Sequence, residues 1–485
     1  MTHNMTTAHK KPPQWLALHF PHLALDLYSR AHQQQSGQDT ALAVSDKLNG
    51  RVCVVDYNRA AHDAGIRLGM PVGAALSVHD LLQITARDQQ AEAECLQRLA
   101  GWCYQFSSQV CVAAERGGLL LEVGASENLF GDAITMAECI CGGLEELGYR
   151  PRAGLAPTPE AAHLAARHGL QLHSHKDIQA RIGALKIDQL YLRPAQIQTL
   201  KKTGFRTAAE VFRLPRKALA RRLGPAVGDY LDRLLGHRPD PLPSFRPADS
   251  FSSGMDIPET GNTQGLIFPL KRLVQELCGV LRARDRGIQM FSVYLQLDRS
   301  AETIDITLQQ ASRSETHLMM LLRERLERLQ LTSPVSHIRL QAPRFLPCVV
   351  VQPGLLPEES KQPSEEADSL VIERLQARLG MDAVKGLSCH EDHRPEYSWS
   401  LRDLDQPPAH TELPRRPVWL FPQPQRCRID KYRILAGPER IESGWWDGKD
   451  CRRDYFMVRD TDGSTLWAFH EYKPQPGWYL HGLFS

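Results

Sequence analysis

The stretch that most constrains this chain is Trp15 to Asp26, WLALHFPHLALD. Trp15, Leu16, Ala17 and Leu18 are apolar without a break, which predicts a strand. His19 ends it, and Phe20-Pro21 follows. Proline has no backbone N–H, so Pro21 stops regular pairing. From His22 to Arg30 the apolar spacing becomes helical, with Leu23, Leu27 and Arg30 a turn apart. A strand therefore runs directly into a helix, with His19 at the junction. A second stretch, Glu115 to Val123, reads ERGGLLLEV: two glycines before an apolar strand that ends in an acid.

With 485 residues the chain exceeds the size at which one hydrophobic core keeps growing, about 250–300 residues, so several domains are expected. No run of 18 apolar residues predicts a membrane span. Residues 1–12 lack an apolar signal segment and read as a disordered leader. The 58 basic and 56 acidic residues nearly cancel, so total charge says nothing about nucleic acid and local charge must decide. Eleven irregularly spaced cysteines predict reduced thiols in a cytoplasmic protein rather than a zinc site.

The two stretches resemble the palm of the Y-family, lesion-bypass DNA polymerases. In that family the first strand ends in a metal-binding Asp, and an Asp-Glu pair precedes the second strand. Here His19, Gly117 and Gly118 take those three places. Two-metal phosphoryl transfer needs carboxylates that bridge the ions. The likeness is therefore to catalytically defective paralogues of the family, of the kind found in bacterial mutagenesis cassettes: no catalytic residue, no metal, no cofactor.

The resemblance implies an α+β multidomain fold. A palm-like domain spans 13–190, with a fingers-like insertion at about 40–80. A helix-hairpin-helix thumb occupies 191–238, a linker 239–262 and a little-finger-like domain 263–342. A flexible linker at 343–369 and a C-terminal partner-recruiting region at 370–485 complete the chain. In the fingers, Asn58 to Met70 reads as a helix closed by Gly65 and a second turn at Gly69, with Arg59 and His62 where the family has its triphosphate-holding Tyr and Arg. The family's Lys is missing from PEAAHLAARHG.

Between Lys201 and Arg238 ten Lys or Arg face only Glu210, Asp229 and Asp232. Lys201, Lys202, Arg206, Arg216, Lys217, Arg221 and Arg222 are the candidate phosphate contacts, and Gly204 marks a hairpin expected to bare its N–H groups to DNA. The bland alternative is a solvated face. Arg282, Arg284 and Arg286 flank a little-finger strand and are further candidates. His237 to Gly254 holds four prolines and reads as a connection.

Gln352, Leu355 and Leu356 form the pattern Gln-x-x-Leu-Leu within a polar segment. It resembles peptides that dock into the bacterial sliding clamp, where the amide hydrogen-bonds at the pocket mouth and the Leu pair fills a cleft. The last 70 residues carry 13 of the 34 aromatic residues and read as a small antiparallel module. Trp445, Trp446, Trp467, Trp478 and Tyr479 are the candidate partner-binding residues, with core formation and stacking on single-stranded DNA as alternatives. EDHRPE at 391–396 reads as a charge-locked turn.

The implied function is a non-catalytic adaptor in damage-induced mutagenesis and translesion synthesis. Its partners would be DNA, the sliding clamp, an error-prone replicative-type polymerase and a RecA-like accessory protein, with no membrane. It would be cytoplasmic and associate with the nucleoid during damage. The alternatives are an active Y-family polymerase and a DNA-binding repair factor without a clamp partner.

Overall fold

Apolar side chains on both faces of Trp15–His19 require a strand covered on both sides, and its place in the sheet meets that requirement. The computed structural model describes residues 14–30, 40–298, 300–348, 363–404 and 416–484. The sheet order is Val110–Ala113, Gly118–Glu122, Trp15–His19, Arg152–Ala156. Leu16 and Leu18 enter one core with Leu96, Leu99 and Ile140 of the helices Gln89–Cys103 and Ala133–Glu146. Trp15 and Ala17 enter a second core with Ala161, Ala162 and Ala165 of the helix Pro159–His168. Leu16 and Leu18 have no exposure; full burial of such a side chain contributes roughly 1.5–3 kcal/mol. The helix after this strand runs Leu23–Ser29, as the spacing predicts.

The second helix layer is tied to the segment that follows it. Thr158 caps Pro159–His168, its hydroxyl accepting from the Ala161 N–H at 3.3 Å. The same hydroxyl donates to the Leu234 carbonyl at 2.9 Å. Leu234 lies on the last of four helices, Pro194–Lys202, Ala208–Phe212, Arg216–Leu223 and Pro225–Leu235, which share the second core.

In the region expected as fingers, the strands Leu42–Leu48, Arg51–Tyr57 and Gln83–Ala86 form a small sheet. The helix expected to close at Gly65 runs Arg59–Asp63, and the backbone turns left-handed at Gly65 and again at Gly69, as expected. A second helix, Val72–Val78, was not read from the sequence.

The expected linker at 239–262 is corrected. Phe251–Thr260 is a full strand, paired antiparallel with Val335–Ala342. Phe251, Ser253, Met255 and Ile257 point inward at alternate positions. This sheet runs Ala301–Ser312, Arg286–Leu297, Val335–Ala342, Phe251–Thr260, with the helices Thr263–Arg284 and Glu315–Glu327 against it. The boundary expected at 370 also moves. The helix Pro363–Leu379 is fastened to these elements by Arg374–Glu324 (2.7 Å) and by Glu373, which accepts from the Gln309 N–H. The chain divides into Met1–Arg378 and Leu379–Ser485.

The second unit is an antiparallel sheet ordered Trp419–Arg426, Gly477–Leu483, Thr465–Lys473, Cys451–Arg459, Arg433–Ser443. Tyr455, Trp467 and Phe469 fill one face. All eleven cysteines are free. Among the described residues no helix is long and apolar enough to cross a membrane.

Candidate nucleic-acid interface and the altered palm site

His19 pairs with Gly118 across the ladder and with Arg152 on the other side. Its Nδ1 lies 3.2 Å from the Arg116 carbonyl. Burial lowers its pKa against the opposing Arg116 carbonyl, and the charges of Arg167 and Arg152 push the same way as burial, which favours the neutral imidazole. Behind it His163 is pushed down to about 3, mainly by burial. Gly117 is left-handed, with φ +63°. Gly118 has no room for a side chain: a Cβ there would stand 2.2 Å from the Leu18 carbonyl oxygen.

The cleft in front, about 600 Å³, is lined by His19, Phe20, Asp56, Glu92 and Glu115 among others. Asp56 is held by His22 at 2.9 Å, and Glu92 by Arg87 at 2.6 Å. Asp26 is buried and bound to Arg150, while Glu122 accepts the Gly124 N–H. These carboxylates are dispersed, and all but the exposed Glu115 are already committed. Among the described residues no group of three or more His, Cys, Asp or Glu converges on a metal position. A neutral imidazole and two glycines supply no bridging anion, so the palm is not built for two-metal polymerisation. At the triphosphate place, Arg59 is exposed and lies 3.8 Å from Asp63, and His62 stacks on Tyr57.

The helical hairpin departs from expectation in one respect. The Gly204 N–H donates to the Lys201 carbonyl (3.1 Å) and the Phe205 N–H to the Leu200 carbonyl (3.2 Å). Glu210 accepts from the N–H groups of Arg206 and Thr207. The turn at Gly204 therefore offers no row of free amides. Lys201 pairs with Asp188 at 3.0 Å and Arg216 with Asp232 at 2.7 Å. Lys202, Arg206, Lys217, Arg221 and Arg222 are exposed and enter no ion pair among the described residues.

Arg284 is a corrected candidate. It donates to the Pro247 and Ala248 carbonyls at 2.8 and 3.0 Å and pairs with Asp249, so it clasps the chain entering Phe251–Thr260. Arg282 lies 3.4 Å from the Gln105 side-chain oxygen, and Arg286 is half-buried at the start of its strand.

The aromatic candidates separate into core and surface. Trp467 is corrected to core: it is 3% exposed and stacked on Tyr455 at 4.0 Å. Trp478 and Tyr479 are half-buried. Trp445 and Trp446 are 79% and 61% exposed. A residue pair not singled out from the sequence holds their loop: Arg394 binds Asp392 and Asp447, each at 2.8 Å, and lies over the Trp446 ring. The signal was the Arg of EDHRPE and the Asp of GWWDG, 53 residues apart in the chain. Gln352, Leu355 and Leu356 lie outside the described residues.

Residues 28–167, the palm-like region, match the model of the IMS family, impB/mucB/samB. The chain is ImuB-like along most of its length. "Protein ImuB" from two strains of Caulobacter vibrioides is 28% identical over 468 residues, covering 87% of this chain and 100% of that protein. Among solved structures, the insertion ternary complex of Dbh DNA polymerase is 16% identical over 69% of this chain and 99% of that chain, with a TM-score of 0.40. DinB from Sulfolobus solfataricus is 16% identical over 68% and 98%, with a TM-score of 0.38.

Proposed function

We propose that the chain is a non-catalytic adaptor in damage-induced mutagenesis and translesion synthesis. It grips DNA through the free cations of its thumb-like helices. It holds the sliding clamp through Gln352, Leu355 and Leu356. It brings an error-prone replicative-type polymerase and a RecA-like accessory protein to the lesion, with Trp445 and Trp446 as the exposed contact. The protein acts in the cytoplasm and at the nucleoid. The observation that carries this reading is Gly118, where the backbone of the neighbouring strand occupies the space of any ligating side chain. The helices that follow carry cations that enter no ion pair among the described residues. That combination supports a protein that keeps DNA contact without polymerisation, and it disfavours the reading as an active polymerase.

Calorimetric titration of the purified clamp tests the reading. Changing Gln352, Leu355 and Leu356 together to Ala removes two apolar side chains from the cleft, at roughly 1.5–3 kcal/mol each. Affinity is expected to fall about a hundredfold or more. Equal affinities, with thermal unfolding unchanged, would remove the clamp from the proposal and leave the repair factor without a clamp partner.

A further inference from the structure

We propose that the C-terminal unit carries a nucleic-acid site of its own, a basic cleft that takes the phosphate backbone of a single DNA strand. The cleft, about 570 Å³, lies where the strand Trp419–Arg426 passes into the turn Ile429–Lys431. Arg426, Arg428 and Lys431 line it together with Tyr432 and Leu480.

Several other cations of this unit are spoken for. Arg394, Arg416, Arg440 and Arg453 each meet a carboxylate within 2.8 Å. Arg426, Arg428 and Lys431 are exposed and enter no ion pair among the described residues. Arg433 continues the row and stands directly opposite Arg459 across the ladder. Like charges in that position repel, and a fold tolerates such a pair more readily where an anion relieves it. The acids nearby do not neutralise the group. Asp430 is exposed, and Asp460 accepts the Asp462 N–H of its own turn.

The rings select the ligand. Tyr432 is half-buried in the cleft wall. The Cys427 N–H donates to the Trp478 carbonyl at 2.9 Å, which ties the cleft to the last strand, while the Trp478 ring itself packs on Phe456 and His470. Cations for phosphates and rings for bases are what a single strand uses. An acidic peptide would use only the cations.

The full-length protein is the sample, and a labelled twenty-nucleotide oligo-dT is the probe. Arg426, Arg428 and Lys431 are changed together to Ala, and anisotropy is read across a salt series. Losing three phosphate contacts is expected to flatten the logarithmic salt slope by about 2, since each contact on a single strand contributes roughly 0.7. A second measurement uses the unsubstituted protein and oligo-dT carrying 4-thiothymine. Photocrosslinks within 425–432 or at Trp478 support the site. Crosslinks confined to the thumb-like helices, or an unchanged slope, overturn it. Weaker binding of polyglutamate with oligo-dT binding intact would also overturn it, in favour of an acidic peptide. None of these outcomes depends on the clamp, so this site and the adaptor reading fail separately.

Discussion

Gly118 was legible in the sequence as a position with no ligand, but why it is glycine becomes visible only in the register. It faces His19 across the ladder, and the Leu18 carbonyl occupies the place of its Cβ. Restoring a carboxylate here is therefore not a matter of exchanging one side chain. Gly118→Ala should destabilise the protein by about 1–3 kcal/mol, the usual cost of forcing an added group into a closed core. Urea unfolding followed by tryptophan fluorescence measures it. An unchanged midpoint would mean that the strands separate freely, and the closed palm would lose its physical basis. His19 was legible in the same way, as a lost acid. Its neutral state follows from burial and from Arg167 and Arg152, which arrive from distant parts of the chain.

At the scale of elements, the thumb-like helices are where charge and structure meet. Lys202, Arg206, Lys217, Arg221 and Arg222 should carry the DNA contact, since Lys201 and Arg216 already face carboxylates. Changing those five to Ala should weaken duplex binding on every sequence alike and flatten the logarithmic salt slope by up to about 4.5, at roughly 0.9 per contact. Changing Lys201 and Arg216 alone should flatten it less. Titration at several salt concentrations decides between this and a merely solvated face, for which the slope would not move. These helices were legible because their apolar spacing is regular and prolines open three of the four. Phe251–Thr260 was not: FSSGMDIPET holds Gly254 and Pro258 and is poor in β-branched residues, and its alternation is rewarded only by a partner strand some 80 residues away. The expected amide cradle at Gly204 failed for a related reason. Spacing locates a turn, but not the carbonyl and the Glu210 carboxylate that take its N–H groups.

At the scale of the whole molecule, the sequence suggested separate domains in Met1–Arg378, but one hydrophobic core runs from Leu16 and Leu99 to Leu273, Phe291 and Ile338. A buried polar knot lies inside that core. Glu276, with no exposure, meets Arg30 at 3.2 Å, Arg98 at 3.1 Å and the Ser253 hydroxyl at 3.2 Å. Arg30 donates further to the Leu147 carbonyl at 2.8 Å and to the Tyr149 hydroxyl. Such a knot is weak evidence for stability as a whole, because two guanidinium groups and a carboxylate lose their water. Breaking it is different. Glu276→Ala would leave Arg30 and Arg98 without their anion, at about 3–5 kcal/mol. Because the core is shared, the loss should not stay in one region. Native-state hydrogen exchange should quicken by a similar factor, a hundredfold or more, in the palm helix Gln89–Cys103 and in the strand Arg286–Leu297. Glu276→Gln, which keeps one acceptor oxygen, should lie between. Faster exchange limited to Arg286–Leu297 would mean that palm and little finger open independently. DNA held by the thumb-like helices and by the little-finger sheet would then be held by parts free to move apart, as hinged domains are. Matched exchange would make Met1–Arg378 a single rigid platform, in keeping with the proposed adaptor.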